Sequence, residues 1–177
     1  MKKKGKGALH TKSLEILIFS DSHGAVHSMR RVIESHQGAT HILFCGDGLC
    51  DIDALEKEFP SRVFLSVRGN CDGFLSAFDV PTERVIELCG LRILMMHGHT
   101  HGVKGSYGVA ASHAAKENAD ILLFGHTHIP YEGWLTVNEK RIHLFNPGSI
   151  GKSERGKHCY GVLTVRENGY LFSHGSF

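Results

Sequence analysis

The stretch LEILIFSDSHGAVHSMRRVIESHQGATHILFCGDG, residues 14–48, decides the fold. Its opening, LEILIFS (14–20), is an apolar run with the length of a buried strand. AVHSMRRVIESHQ (25–37) then carries Val26, Met29, Val32 and Ile33 at helical spacing, and HILFC (41–45) is a second strand. Continuing outward, IDALEKEF (52–59) predicts a short helix and RVFLSV (62–67) a third strand. Strand, helix, strand, helix, strand at this spacing implies βαβ units and a parallel sheet.

Beyond residue 80 the pattern changes. ERVIEL and LRILMM flank Cys89-Gly90, a two-residue hairpin turn, while YGVLTV and YLFS flank the Glu167-Asn168-Gly169 turn. SYGVAASHAAKENA (106–119) predicts a helix leading into the strand DILLF (120–124), and YEGWLTV with RIHLF predicts another hairpin. The expected fold class is α/β, with two mixed β-sheets packed as a sandwich flanked by helices.

At 177 residues and 41% hydrophobic, the chain has enough material for one well-buried core. The expected organisation is a basic N-terminal tail over residues 1–13 and a single domain over 14–177. Apolar runs such as ILIF (16–19) and LRILMM (91–96) fall far short of the roughly 18 residues that span a bilayer, so no membrane partner is expected. No small-residue cleavage site follows the basic start, and a cytoplasmic location is the default. Five cysteines, at 45, 50, 71, 89 and 159, are odd in number and lack CxxC spacing, which argues against a disulfide framework and a zinc ribbon. Net charge is +2, but Lys2, Lys3, Lys4, Lys6 and Lys12 all precede residue 14 and leave 15 basic against 18 acidic residues in the remainder. A mildly acidic body gives no strong nucleic-acid signal.

The chemistry collects at strand ends. The first strand runs into SDSHG with Asp21 and His23, the second into CGDG with Asp47, and the third into RGNCDG with Asn70, Cys71 and Asp72. After LRILMM comes HGHTHG with His97, and after DILLF comes GHTHIP with His126 and His128. If that last strand continued, its alternation would place both histidines on one face. In open α/β sheets ligands bind outside the carboxyl ends of the strands, so these side chains are expected to meet at one edge. Oxygen and imidazole donors without clustered thiolates favour Mn, Fe, Ni or Zn. Seven such donors exceed one ion and suit two metals about 3.5–4 Å apart with a bridging carboxylate. Arg68, Lys152 and Arg155 are candidate steering charges for an anion, with plain surface charge the simpler reading.

The order Asp-x-His, Gly-Asp, Gly-Asn, His-Gly-His and Gly-His-x-His, running from Asp21 to His128 and followed by NPGSIG (146–151), resembles the calcineurin-like metallophosphoesterase superfamily. More narrowly, it is similar to the small YfcE-type phosphodiesterases. The resemblance implies one divalent metal held by Asp21, His23, Asp47 and His128, and a second by Asp47, Asn70, His97 and His126, with Asp47 bridging. Mn is the first choice by resemblance, with Fe, Ni or Zn as the other metals. His99 and His101 match no ligand position and are assigned to pocket lining or surface.

The implied activity is hydrolysis of a small phosphodiester by in-line attack of a hydroxide shared between the metals, with Asp47, Asn70, Cys71 and His97 as the catalytic set. Cys71 stands where many superfamily members carry a histidine that protonates the leaving group, although YfcE-type members resemble this chain in having cysteine there. Two readings of Cys71 stay open: a weak proton donor, or a small residue packed beside the ligands. Two rival functions also stay open. One is a phosphomonoesterase or protein phosphatase on the same fold. The other is a non-catalytic scaffold like the retromer coat subunit that resembles this group. A homo-oligomer is an expectation at family level only.

Overall fold

The structure, a computed structural model, describes residues 13–73, 79–151 and 156–177. The tail lysines at 2–12 and the steering candidates Lys152 and Arg155 lie outside the described residues. Its strands are β1 (Leu14–Phe19), β2 (Ala39–Phe44), β3 (Val63–Ser66), β4 (Glu83–Leu88), β5 (Leu91–Met96), β6 (Ile121–Leu123), β7 (Tyr131–Val137), β8 (Lys140–Asn146), β9 (Cys159–Arg166) and β10 (Gly169–Ser176). The helices are α1 (Val26–Ser35), α2 (Leu49–Glu58) and α3 (Gly108–Lys116).

The strands form two five-stranded sheets, β10-β9-β1-β2-β3 and β4-β5-β6-β8-β7. β1, β2 and β3 are parallel through the α1 and α2 crossovers, and β9 and β10 add an antiparallel edge. In the second sheet β5, β6 and β8 are parallel, with β4 and β7 antiparallel on the outside. Both sheets are therefore mixed, and helices cover their outer faces.

Strand alternation explains why the runs read as continuously apolar. In β1, Leu17 and Phe19 face α1 and α2 with Met29, Val32, Ile33, Ile52 and Leu55, while Ile16 and Ile18 face the other sheet. In β5, Leu94 and Met96 pack on Ala110, Ala111 and Ala114 of α3, while Ile93 and Met95 point inward. A strand buried on both faces has no polar side to show. The hairpin turns also match their chemistry: Cys89 and Gly90 have φ of 54° and 76°, and Asn138 and Glu139 have 48° and 68°. Positive φ at both central residues is what a two-residue hairpin needs.

Two boundaries differ from expectation. β2 begins at Ala39, two residues before the expected HILFC run, and α2 begins at Leu49 rather than at residue 52. The helix starts early because the N–H groups of Gly48 and Leu49 donate to Oδ1 of Asp72, at 2.7 and 2.9 Å. That cap arrives from another strand end, which local periodicity cannot register. A short 3₁₀ turn over His99–His101, also absent from the sequence reading, follows β5.

The sheets approach closely where Gly161 of β9 faces Phe145 of β8. A Cβ at 161 would stand 2.4 Å from Phe145 Cε1 and 2.9 Å from Cζ. Phe145 has little room to retreat, since its ring stacks on Phe172 at 4.3 Å and on His174 at 4.4 Å. Gly161→Ala is expected to cost about 1–3 kcal/mol by overpacking. The check is a lower urea midpoint at unchanged slope; an unaltered midpoint would remove Gly161 from the packing argument.

Candidate metal centre

Each parallel strand ends in a backbone turn that swings a polar side chain into one space. Asp21 and His23 follow β1, Asp47 follows β2, Asn70 and Cys71 follow β3, His97 follows β5, and His126 and His128 follow β6. Five of these residues have left-handed backbone: Asp21 (φ 54°), His23 (45°), Asp47 (64°), His126 (66°) and His128 (59°). Such conformations cost of order 1–3 kcal/mol each outside glycine and persist only where the surroundings impose them. Hydrogen bonds across strand ends impose them here. Asp21 N–H donates to Gly46 O at 2.9 Å, His23 N–H to Asp47 O at 3.2 Å, and His126 N–H to Asp21 Oδ2 at 3.0 Å.

The strand-alternation argument for His126 and His128 fails on this geometry. β6 stops at Leu123, and both histidines are left-handed, so they do not share a pleat face. They diverge instead. His128 joins Asp21 and His23, whereas His126 joins Asp47 and His97, each group having its donor atoms within 4.8 Å of one another. Asp47 also groups with His23 and Cys71, which puts it between the two clusters. Asn70 Oδ1 completes the second cluster at 3.1 Å from His97 Nε2. All seven residues singled out as ligands thus come together. His99 packs against them, its ring 5.4 Å from His97 and 6.1 Å from His126, whereas His101 lies against His113 at 5.0 Å.

The electrostatics have a missing partner. His97 is fully buried and its Nδ1–H donates to the Cys45 carbonyl at 2.7 Å, which leaves Nε2 as the bare nitrogen. Three oxygens stand nearest to that nitrogen, Asn70 Oδ1 at 3.1 Å, Asp47 Oδ2 at 3.3 Å and Asp21 Oδ1 at 3.9 Å, and the His126 ring lies beside them. Asp21 Oδ1 and His23 Nε2 are buried without a hydrogen-bond partner among the described residues. Lone pairs facing lone pairs are reconciled by a proton or by a metal ion, and the donor set of carboxylate, amide oxygen and imidazole fits a divalent metal.

The pKa shifts have the same origin. Burial pushes His97 down, but Asp47 and Asp21 outweigh it and hold the imidazole above its ordinary value. The Asp21 carboxylate raises His128, against its burial. Burial, the His97 charge and Lys104 push His126 down to about 4. Burial opposes ionisation of Asp47, yet the Cys71 N–H and His97, which in its protonated form donates through Nε2, carry its carboxyl well below the usual range. Lys104, unremarked in the sequence, is thus a cation whose field reaches both histidines of the GHTH segment.

The family model described as Calcineurin-like phosphoesterase superfamily domain matches residues 14–168, nearly the whole described chain. The chain belongs to the calcineurin-like phosphoesterase superfamily. Among its relatives, a probable metallophosphoesterase of Bacillus subtilis, YsnB, is 31% identical over 158 residues, spanning 88% of this chain and 86% of that protein. The Escherichia coli phosphodiesterase YfcE is 30% identical over 174 residues, spanning 85% and 87%. Among solved structures, Vps29 of Entamoeba histolytica complexed with Zn²⁺ shares the fold at TM-score 0.64 and 20% identity, over 92% of this chain and 99% of that one. Metallophosphoesterases work with divalent metals, and the clusters around Asp21 and Asp47 supply donors for them.

The turns that carry these clusters are held by further hydrogen bonds, to Asp72 and Asp51 and from Asn146. Both oxygens of Asp72 are used: Asp47 N–H and Gly69 N–H donate to Oδ2 at 2.9 and 2.8 Å, opposite the Gly48 and Leu49 donors at Oδ1. Asp51 Oδ2 accepts from Ser22 Oγ at 2.6 Å and Gly24 N–H at 2.9 Å, fixing the turn that carries His23. Asn146, at the end of β8, donates to Gly125 O at 2.9 Å and Thr127 Oγ1 at 3.1 Å, which shapes the GHTH loop. Gly125 itself has no room for a side chain, because a Cβ there would stand 1.8 Å from Ser20 Oγ and 2.8 Å from Asp21 Oδ2. Asp72, in GNCD, was visible as an acid beside the ligands; its role needed the fold. Asp72→Asn turns an acceptor into an NH₂ facing backbone donors. We expect a loss of about 1–3 kcal/mol in denaturant unfolding, the cost of stranding buried donors, and wild-type stability would refute the clamp.

Proposed function

We propose that this protein is a phosphodiesterase that hydrolyses small phosphodiesters with two divalent cations. Asp21, His23, Asp47 and His128 hold one; Asp47, Asn70, His97 and His126 hold the other. The observation that carries this reading is the pair of donor clusters meeting at Asp47, with Asp21 Oδ1 and His23 Nε2 buried and unpartnered. Nitrogen and oxygen donors suit Mn, Fe, Ni or Zn, and Mn²⁺ is the first choice by family resemblance alone. Two cations there would acidify a shared water toward neutrality and neutralise phosphoryl oxygens as charge develops.

The chain's own residues do the rest. Asp47, kept ionised by His97 and the Cys71 N–H, binds between the clusters at pH 7. Asn70 offers an uncharged oxygen through Oδ1, and its amide donates to Cys71 Sγ at 3.2 Å, which orients the thiol. Burial and the Asp47, Asp72 and Asp21 carboxylates raise the Cys71 pKa, so Sγ keeps a proton at neutral pH. That proton is available to a leaving oxygen. Beside the clusters is a cavity of 190 Å³ whose walls include His23, Asp47, Cys50, Cys71 and Asp72.

A non-catalytic, protein-binding role remains the rival, and likeness to Vps29 is the observation in its favour. Zn²⁺ is bound in that Entamoeba protein, so metal binding alone does not separate the two readings. Turnover does. Chelator-stripped protein should hydrolyse bis(p-nitrophenyl) phosphate faster than p-nitrophenyl phosphate once Mn²⁺ is restored, and Asp47→Asn should abolish the activity. Preference for the monoester would favour a phosphomonoesterase, and metal-bound protein without turnover would favour the scaffold.

Cys71 can be tested separately. As a proton donor, its replacement by alanine should slow an alkyl phosphodiester by about 10²-fold or more, while the p-nitrophenyl diester, whose leaving group needs no proton, is spared. Equal effects on both substrates would assign Cys71 to packing.

A further inference from the structure

Three of the four metal-ligand-like groups among the described residues belong to the centre above; the fourth, Glu83, His101 and His113, shares no residue with it. These side chains come from three elements: Glu83 from the start of β4, His101 from the end of the 3₁₀ turn and His113 from the middle of α3. Their donor atoms all lie within 4.8 Å of one another, and His113 Nε2 is 2.7 Å from Glu83 Oε2. Donors around a tetrahedral zinc with bonds of about 2.0–2.1 Å stand roughly 3.3–3.5 Å apart. One pair is closer than that and the others are no farther than 4.8 Å, a range that half-exposed side chains adjust by small rotations.

A simple ion pair explains Glu83 and His113 but not His101. The two imidazoles stack at 5.0 Å and 29°, an arrangement that disfavours charge on both. Thr100 Oγ1 lies 3.0 Å from His101 Nδ1, a partner that fixes one ring nitrogen and frees the other. The recess alongside is lined by His101, Ser106, Ser112, His113 and Lys116, and it leaves solvent access for a fourth ligand.

We propose that Glu83, His101 and His113 form a further divalent-metal site able to hold zinc, with water or a small anion in the open position. Two histidines, one glutamate and an open position is a set that zinc accepts. Occupied, it ties α3 to β4 and to the turn four residues beyond His97, so this site braces one wall of the catalytic centre from outside.

The test measures zinc bound to the full chain by equilibrium dialysis after chelator stripping. It is run in wild type and in an Asp47→Asn background, where the central pair is impaired. His113→Ala and His101→Ala should each remove one zinc equivalent in both backgrounds. Glu83→Gln, which keeps the size but not the charge, should weaken that equivalent, and His27→Ala on α1 should change nothing. Zinc should also raise the Tm of Asp47→Asn but not of Asp47→Asn/His113→Ala. Equal zinc content with and without His113 and His101 would overturn the proposal. If the two-cation reading were wrong, total content would be lower, but the step lost with His113 would remain.

Discussion

Two carboxylates, Asp21 and Asp47, are buried at the ends of adjacent parallel strands, and this constraint shapes the rest of the molecule. An ionised carboxylate taken out of water costs several kcal/mol unless it is paired and hydrogen-bonded. The chain meets part of that cost with its own groups: Ser20 Oγ and His126 N–H on Asp21 Oδ2, and Cys71 N–H on Asp47 Oδ1. It leaves the remainder open. Asp21 Oδ1 accepts no well-aligned hydrogen bond and faces two imidazole nitrogens, His128 Nε2 at 3.2 Å and His97 Nε2 at 3.9 Å. A group left so in a buried place marks where an external cation belongs.

The sheets make this concentration of charge sustainable. Their inner faces, with Ile16, Ile18, Leu43, Ile93, Met95, Ile121 and Leu123, form one apolar layer, and the carboxyl ends of the parallel strands open at the same edge. A stiff, dry layer directly beneath the polar ends prevents the turns from relaxing. Left-handed residues at Asp21, Asp47, His126 and His128 are held against their own preferences, so the donors are organised before any ligand arrives.

Much of this was legible in the sequence because it is local. Apolar runs of strand length gave the strands, Val26, Met29, Val32 and Ile33 marked α1, and turn pairs such as Cys89-Gly90 fixed hairpins. The polar residues that end each run were readable for the same reason. What stayed hidden depends on contacts between distant segments. The start of α2 is set by Asp72 from a different strand end, Asn146 shapes a loop 21 residues earlier, and Glu83, His101 and His113 meet only after β4, the 3₁₀ turn and α3 have packed. The His-x-His pair shows the limit from the other side. Its spacing pointed to metal chemistry through strand alternation, but the structure brings the same residues to the site through left-handed turns.

That difference bears on how His126 and His128 divide their work. Two imidazoles on one pleat face would be near equivalents, whereas here their environments oppose each other. His128 looks onto Asp21 and is raised; His126, pressed by burial, His97 and Lys104, is lowered to about 4. His126 is therefore neutral at physiological pH, while His128 holds a proton more readily beside Asp21. A backbone that separates the pair gives neighbouring residues of one motif different affinities for protons without any difference in residue type.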